Sequence, residues 1–300
     1  MRRAILRLEG LKLPLDAGQK QLKTKAAAML RCREDDMTEL RVLRRAIDAR
    51  DGLRFVYTVS VTVKDEVRLL KRCRDTHVSR YTPETYALPP AVTAGELPPV
   101  VVGMGPAGRV AALVLARCGA KPLLLERGQC VERRQQDVER FWQSGVLDTE
   151  SNVQFGEGGA GAFSDGKLNT GTKDVRHRYI MEQLAACGAP VDILWDAKPH
   201  VGTDMLHIAL QSMRRELLSL GADIRFGHKL TGISVNENRL TALTVEGPEG
   251  PYTLSCRQAL LALGHSARDT VELLYGAGVA MTAKPFAVGV RIEHRQADMD

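Results

Sequence analysis

Three glycines near the middle of the chain have the spacing of a loop that holds a phosphate group. Gly103, Gly105 and Gly108 form a G-x-G-x-x-G pattern directly after the apolar residues 100–102. In such a turn the first glycine allows a sharp bend, the second lets the backbone approach a pyrophosphate, and the third lets a helix pack closely on a strand. The free N–H groups at the start of the following helix favour an anion.

An acidic residue follows at the distance that this kind of site requires. A helical pattern over residues 109–118 and a second apolar run at 123–125 lead to Glu126. The order of strand, glycine turn, helix, strand and acid predicts a β-α-β unit that binds a dinucleotide. Glu126 would accept hydrogen bonds from ribose hydroxyls and would repel a 2′-phosphate.

A second glycine-rich stretch lies at residues 151–168 and contains five glycines between 156 and 166. Such a backbone suits close contact with a flat ligand or its phosphates. Phe155 and Phe163 flank the glycines and would anchor the segment, whereas a flexible surface loop is the alternative. Between the two glycine stretches, Arg134 is a candidate for a phosphate contact, but its neighbours are charged too, and we expect it on a solvated helix face.

These motifs resemble known flavoproteins. The first glycine turn, together with residues 126–128, resembles the start of the FAD domain in glutathione-reductase-type flavoproteins. Residues 151–168, 263–270 and 284–294 resemble more narrowly a family of bacterial FAD-dependent dehydrogenases, or NAD(P)/FAD-dependent oxidoreductases. The N-terminal module matches that family as well, so the resemblance covers nearly the whole chain.

The resemblance implies an α/β fold with a Rossmann-type FAD-binding domain and hydride transfer through the flavin, with an unknown small-molecule substrate. NAD(P)H is a candidate electron donor. The residues implied to contact FAD are Gly103, Gly105, Pro106, Ala107, Gly108, Glu126, Arg127, Gly158, Gly159, Ala160, Gly161 and Gly264.

No residue is marked as catalytic by its motif, and three are candidates. Lys167 would place a positive charge near the pyrimidine end of the flavin, although a surface lysine fits equally well. Ser266 and Asp269 have capping-box spacing before a helical pattern, which leaves His265 and Arg268 as the other two candidates. The region beside the flavin lacks the close cysteine pair of disulfide reductases, and no metal-binding spacing is found in the sequence.

Composition divides the chain into four parts. We predict an α+β module at 1–75, a proline-rich linker at 76–99, the FAD-binding domain at 100–265 and the start of a second, substrate-side domain at 266–300. The β-α-β-β-α order of the module predicts a ferredoxin-like fold. The late Gly-Asp segment with which the superfamily binds the ribityl phosphate does not follow Val290, so we expect an FAD domain that is incomplete at its C-terminus.

Charge and cysteine content leave other functions open. Residues 1–75 hold 19 of the 42 Lys and Arg residues but 11 of the 36 Asp and Glu residues. Phe55 and Tyr57 on this basic module raise the possibility of nucleic-acid stacking, but their strand face continues with Leu53, Val59 and Val61, which favours a buried core. No apolar run reaches the ~20 residues of a membrane span.

The six scattered cysteines predict free thiols and a cytoplasmic location. Two alternative functions remain at this point. One is an oxidoreductase that binds NAD as its only nucleotide, and the other is a non-catalytic chain whose basic module binds nucleic acid or a protein partner.

Overall fold

The N-terminal part of the chain forms an antiparallel sheet with two helices. The structure, a computed structural model, describes residues 4–50, 52–73, 75–164, 166, 174–290 and 292–299. Its first helices and strands are β1 (Ala4–Leu13), α1 (Gln19–Leu30), β2 (Met37–Asp48), β3 (Arg54–Val63), α2 (Glu66–Cys73) and β4 (Val78–Arg80). The strands pair in the order β2-β3-β1-β4, and every pairing is antiparallel.

One face of this sheet and both helices enclose a hydrophobic core. Alternate residues of β3 point into it, so Tyr57, Val59, Val61 and Val63 are all at most 8% exposed. This alternation is the signature of a strand with one face on a core. Tyr57 therefore packs inside the module, as the apolar face of the strand predicts.

A short strand lies inside the stretch 76–99, where five prolines predict irregular chain. Val78–Arg80 pairs with β1, with Val78 opposite Leu8. The first proline of the stretch is Pro83, so residues 78–80 keep the N–H groups that a strand needs. The module thus has a fourth strand beyond the predicted β-α-β-β-α order, and residues 81–95 form neither helix nor strand.

The glycine-rich motifs belong to a second unit built on a parallel sheet. Its strands are β5 (Val100–Val102), β6 (Leu123–Glu126), β7 (Asp223–Phe226) and β11 (Ala259–Leu261). They pair in the order β11-β5-β6-β7, and all three pairings are parallel. The α-helices between β5 and β7 are α3 (Pro106–Arg117), α4 (Val131–Ser144), α5 (Val175–Ala186) and α6 (Thr203–Ser219). An antiparallel meander of β8 (Lys229–Asn236), β9 (Arg239–Gly247) and β10 (Gly250–Ser255) precedes β11.

The parallel sheet is covered on both faces. Val101 and Leu124 point into a core shared with α3 and α6, whereas Val100 and Leu123 point to the side of the meander. A strand that is buried on both faces must be apolar at every position. This explains why residues 100–102 and 123–125 are continuous apolar runs rather than alternating ones.

Arg45 of β2 joins the N-terminal module to the second unit. Its side chain donates two hydrogen bonds to the Asp196 carboxylate, at 2.7 and 2.8 Å. The backbone adds two more, from Arg45 N–H to the Trp195 carbonyl at 2.7 Å and from Ala197 N–H to the Arg45 carbonyl at 2.9 Å. The guanidinium carbon lies 4.9 Å from the centre of the Phe55 ring. The edge strand of the module is therefore partly paired across this contact.

The last helix, α7 (Arg268–Gly276), packs against β8. After it, residues 279–290 form neither helix nor strand. Phe286, Val288 and Val290 are between 83% and 85% exposed in this segment. Assignment of residues 266–300 to a second domain stays a prediction.

None of the helices within the described ranges is both long enough and apolar enough to cross a membrane. The longest, α6, has 17 residues. All six cysteines are free thiols in the structure.

Candidate dinucleotide-binding site

A cavity of about 430 Å³ lies where the carboxyl ends of β5 and β6 meet the start of α3. Ligands of open parallel sheets bind at this edge, because the loops that follow the strands converge there. Nine of the twelve residues implied to contact FAD line the cavity together with the catalytic candidate His265; the nine are Gly103, Gly105, Pro106, Ala107, Glu126, Arg127, Gly159, Ala160 and Gly264.

The first glycine turn has little room for side chains. Gly103 has φ +99°, and a Cβ there would lie 2.4 Å from the Ala262 carbonyl oxygen. A Cβ on Gly108 would lie 1.9 Å from the Gly103 oxygen, so Gly108 serves close helix–strand packing rather than lining the cavity. Helix α3 begins at Pro106, whose missing N–H costs nothing at this position, and the N–H groups of its first turn lack acceptors inside the helix.

The second glycine stretch lies directly against the first. A Cβ on Gly159, which has φ +65°, would be 3.2 Å from Pro106 Cδ and 3.3 Å from Gly105 Cα. Gly158 N–H donates to the Met104 carbonyl at 3.0 Å. The two motifs therefore form one surface, although 51 residues separate Gly108 from Gly159 in the sequence.

Two glycines of the second stretch that the resemblance implies as FAD contacts do not reach the cavity. A Cβ on Gly158 would lie 2.4 Å from Leu210 Cδ1, so this glycine faces α6. Gly161 is absent from the cavity lining as well. The contacts that the resemblance implies thus centre on Gly159 and Ala160 within this loop.

The Glu126 carboxylate is buried and already engaged by the backbone. Oε2 accepts a hydrogen bond from Met104 N–H at 2.7 Å, and Oε1 accepts from Gly128 N–H at 2.9 Å and from Gly156 N–H at 3.0 Å. An ionised carboxylate offers about four lone-pair directions. Three of them hold the two glycine segments together, which leaves one on Oε2 for a ribose hydroxyl.

Arg127 takes part in a cluster of four charges beside the cavity. Its guanidinium donates two hydrogen bonds of 3.0 Å to Asp269 and one of 2.8 Å to Glu150, and it lies 3.9 Å from the centre of the Phe155 ring. Lys229 binds the same two carboxylates, at 2.7 Å to Asp269 and 3.2 Å to Glu150. Arg127 is thus fixed by protein partners at the place where the resemblance puts the cofactor.

Asp269 titrates at unusually low pH because of this cluster. Burial raises the pKa of its carboxyl, but hydrogen bonds from Arg127 and Lys229 lower it by more, so the pKa lies below its ordinary value of 3.8. The carboxylate therefore stays ionised well into the acid range.

The predicted capping box of Ser266 and Asp269 is wrong. Helix α7 begins at Arg268 after Ala267, and the Ser266 hydroxyl donates to Gln154 Oε1 at 2.9 Å. Asp269 lies within the first turn and points to Arg127 instead. The ion pair with Arg127, a residue of another segment, decides the orientation of the Asp269 side chain. Sequence spacing cannot reveal such a partner.

Two of the three candidate catalytic residues, His265 and Arg268, lie among the described residues, and both line an open groove beside the cavity. His265 also lines the cavity, close to Ser266. Arg268 lies outside the cavity, and the groove is bounded by Phe141 and Phe155. Lys167 lies outside the described residues.

Arg134 holds the second glycine loop, and the expectation of a solvated side chain is wrong. It is fully buried. It donates hydrogen bonds of 2.7–2.9 Å to the carbonyl oxygens of Asn152, Val153, Glu157 and Gly159. One signal in the sequence does point to it, since positions 131, 134 and 138 share a helical face and Val131 and Val138 are apolar.

Glu157 forms a second buried charge centre behind the loop. Its carboxylate accepts from Arg109 at 2.8 Å, from Val131 N–H at 2.8 Å and from Arg214. Arg109 also donates to the Leu210 carbonyl at 2.7 Å. Helices α3, α4 and α6 are thereby joined through one carboxylate of the glycine loop. In the sequence Glu157 stands between two glycines, and nothing in that pattern predicts this role.

Comparisons with known proteins match both halves of the chain. Residues 6–64 match a family described as a domain of unknown function (DUF8436). A protein of Clostridium beijerinckii described as uncharacterized is 42% identical over 294 residues, which are 97% of this chain and 54% of that protein.

Two further similarities each cover about three fifths of the chain. The 12-dehydrotetracycline 5-monooxygenase/anhydrotetracycline 6-monooxygenase of Streptomyces rimosus is 28% identical over 185 residues, or 59% of this chain and 32% of the relative. The crystal structure of Thermovibrio ammonificans THI4 superimposes with a TM-score of 0.42 at 18% identity, over 61% of this chain and 63% of that one. The chain thus spans about half of the first curated relative and about a third of the second.

Proposed function

We propose that the chain binds FAD in this cavity and serves a flavin-dependent oxidoreductase. The observation that carries the proposal is the contact between the two glycine segments, Gly105 against Gly159, at the N-terminus of α3 and beside the buried Glu126. Glycines without side chains let the backbone approach a diphosphate closely, and the N–H groups at the start of a helix favour its negative charge. The monooxygenase name of a relative that is 28% identical supports a redox function.

The residues at the cavity fit the adenosine diphosphate part of FAD. Gly105 to Ala107 and Gly159 to Ala160 would hold the diphosphate, and Glu126 would bind the adenosine ribose. Lys229 and Leu230, which also line the cavity, would border the adenine. A Cβ at position 159 would fill part of the cradle, which supports a ligand that needs this space.

The chemistry of the proposed enzyme would come from its cofactor. Bound FAD supplies a two-electron acceptor and donor of hydride, with NAD(P)H as the proposed electron source. The residues of this chain would bind and orient FAD and exclude water from its diphosphate. We infer a dehydrogenase from the resemblance, with its substrate open, and a cytoplasmic location from the six free thiols.

We also propose that the N-terminal module is ferredoxin-like. Its β-α-β-β-α-β order and the strand order β2-β3-β1-β4 support this. Burial of Tyr57 in the core argues against base stacking on that strand, so we do not favour the nucleic-acid alternative.

FAD binding is testable on the purified 300-residue chain. We expect flavin absorbance after incubation with FAD and removal of the excess. The G159V variant should weaken FAD binding about tenfold or more, because overpacking of this kind costs about 1–3 kcal/mol. Titration followed by flavin fluorescence measures both proteins.

A matched control for G159V is G276A, since nothing lies within 4 Å of a Cβ at position 276. It should bind FAD as the original chain does. Binding of NAD without FAD would instead support the NAD-only alternative. A folded chain that binds neither would refute the proposed site.

A further inference from the structure

We propose that Arg134 is a positioning residue for the diphosphate: it holds the second glycine loop so that the loop presents the Ala160 N–H to the cavity. This inference rests on the proposed function. Arg134 does not line the cavity itself and acts through the backbone of residues 152–159.

The burial of Arg134 shows that its four hydrogen bonds are required. A charged guanidinium without solvent is tolerated only where its donors are satisfied. Nε binds the Asn152 carbonyl, Nη2 binds Val153, and Nη1 binds both Glu157 and Gly159. The planar fork of arginine matches this set of acceptors, which the single ammonium of a lysine cannot reach together.

These bonds orient the peptide groups of the loop. In a trans peptide the C=O and the following N–H point in opposite directions. The structure has no cis peptide among the described residues. Because the Gly159 carbonyl points to Arg134, the Ala160 N–H points away from it, and both residues line the cavity. An anion in the cavity would therefore meet a donor rather than a carbonyl oxygen.

Arg134 also leaves no room for an alternative loop path. Gly156 has φ +118°, and a Cβ there would lie 2.4 Å from Arg134 Cδ. On the other side, the Phe163 ring centre is 4.6 Å from the guanidinium carbon. The loop thus wraps around the side chain from Asn152 to Phe163.

The charge of Arg134 persists at neutral pH. Burial lowers the pKa of its guanidinium, and the carboxylates of Glu126 and Glu157 raise it. The net result is a pKa of about 10. A protonated group behind the loop favours a ligand with two phosphates. Removal of the side chain should therefore weaken diphosphate binding specifically, and leave the nucleoside contacts in place.

The test compares ADP with adenosine on the full chain, by calorimetry for ADP and ligand-observed NMR for adenosine. The readout is the dissociation constant of adenosine divided by that of ADP. This ratio isolates the contribution of the diphosphate to binding. In R134Q this ratio should fall about tenfold, the effect of losing one hydrogen bond from the Ala160 N–H to a charged phosphate group. R134K should show a smaller fall, because the charge is kept and the fork is lost.

The matched control is R133Q, which removes a positive charge from an exposed side chain at the preceding position of α4. Its ratio should equal that of the original chain. An unchanged ratio in R134Q overturns the inference, and if R134Q does not fold, an unchanged ratio in R134K does so. Failure of the original chain to bind ADP and FAD would instead refute the proposed function, so the two failures are distinguishable.

Discussion

At the scale of single residues, Glu126 shows that a carboxylate suited to a ligand can first organise the protein. Its three N–H donors come from Met104 before α3, Gly128 after β6 and Gly156 in the second loop. Loss of the carboxylate would leave three buried donors unpaired, and each unpaired group costs about 1–3 kcal/mol. The site is therefore held together before a nucleotide enters.

We predict that E126A lowers the free energy of unfolding by at least about 3 kcal/mol in the absence of nucleotide, because three buried N–H groups lose their acceptor. Urea unfolding followed by circular dichroism measures this. E139A on the exposed face of α4 is the control and should unfold as the original chain does. A fully stable E126A protein would mean that the carboxylate serves only the ligand.

The positions of Gly103, Gly105 and Glu126 follow from the sequence, since local spacing along a β-α-β unit decides them. The roles of Arg134 and Glu157 do not, because their partners are backbone carbonyls and arginines far away in the chain. A charged residue among charged neighbours is usually solvated. Only the shared helical face with Val131 and Val138 opposes that expectation for Arg134.

At the scale of elements, α7 is joined to β6 and β8 by charge as well as by packing. Asp269 of α7 binds Arg127, which follows β6, and Lys229 of β8. The pKa of Asp269 in the folded protein lies below its ordinary value of 3.8. The ion pair therefore stabilises the fold above that pH, and its contribution is lost as the pH falls towards the folded-state pKa.

We predict that D269N lowers the free energy of unfolding at pH 7, and that the difference from the original chain shrinks as the pH falls below 3.8. Asparagine cannot form the charged pair, whereas the aspartate loses it only on protonation. Urea midpoints between pH 7 and 2.5 measure the difference. E272Q, on the exposed side of α7, should show no such trend, and a D269N curve parallel to the original would contradict the argument.

Helices and strands with strong local sequence patterns are found where the sequence predicts them. Those that depend on contacts with distant segments are not. The strand–turn–helix–strand order from Val100 to Glu126 is present as predicted. Strand β4 was missed because its three residues carry no pattern of their own and depend on pairing with β1. For the same reason the start of α7 differs from the predicted capping box.

At the scale of the whole molecule, Arg45 connects the N-terminal module to the cavity-bearing unit. Two side-chain and two backbone hydrogen bonds meet at residues 195–197. A half-buried pair of this kind contributes up to about 1 kcal/mol. The side-chain pair and the backbone bonds therefore join the same two segments.

We predict that R45A accelerates hydrogen–deuterium exchange of the Ala197 amide about fivefold, because a loss of about 1 kcal/mol makes local opening that much more frequent. Exchange followed by NMR or mass spectrometry of peptides covering 192–198 measures this. R44A, the exposed neighbour, is the control and should leave the Ala197 rate unchanged. Equal rates in R45A would mean that packing alone docks the module.

The contact at Trp195 has an optical consequence. The chain has two tryptophans, and Trp142 is 65% exposed on α4, whereas Trp195 is partly buried where its carbonyl meets Arg45. In a W142F protein all indole emission would come from the seam between the module and the remainder of the chain. The fold thus contains its own fluorescent reporter, which would distinguish a docked from a separated module in solution without any attached label.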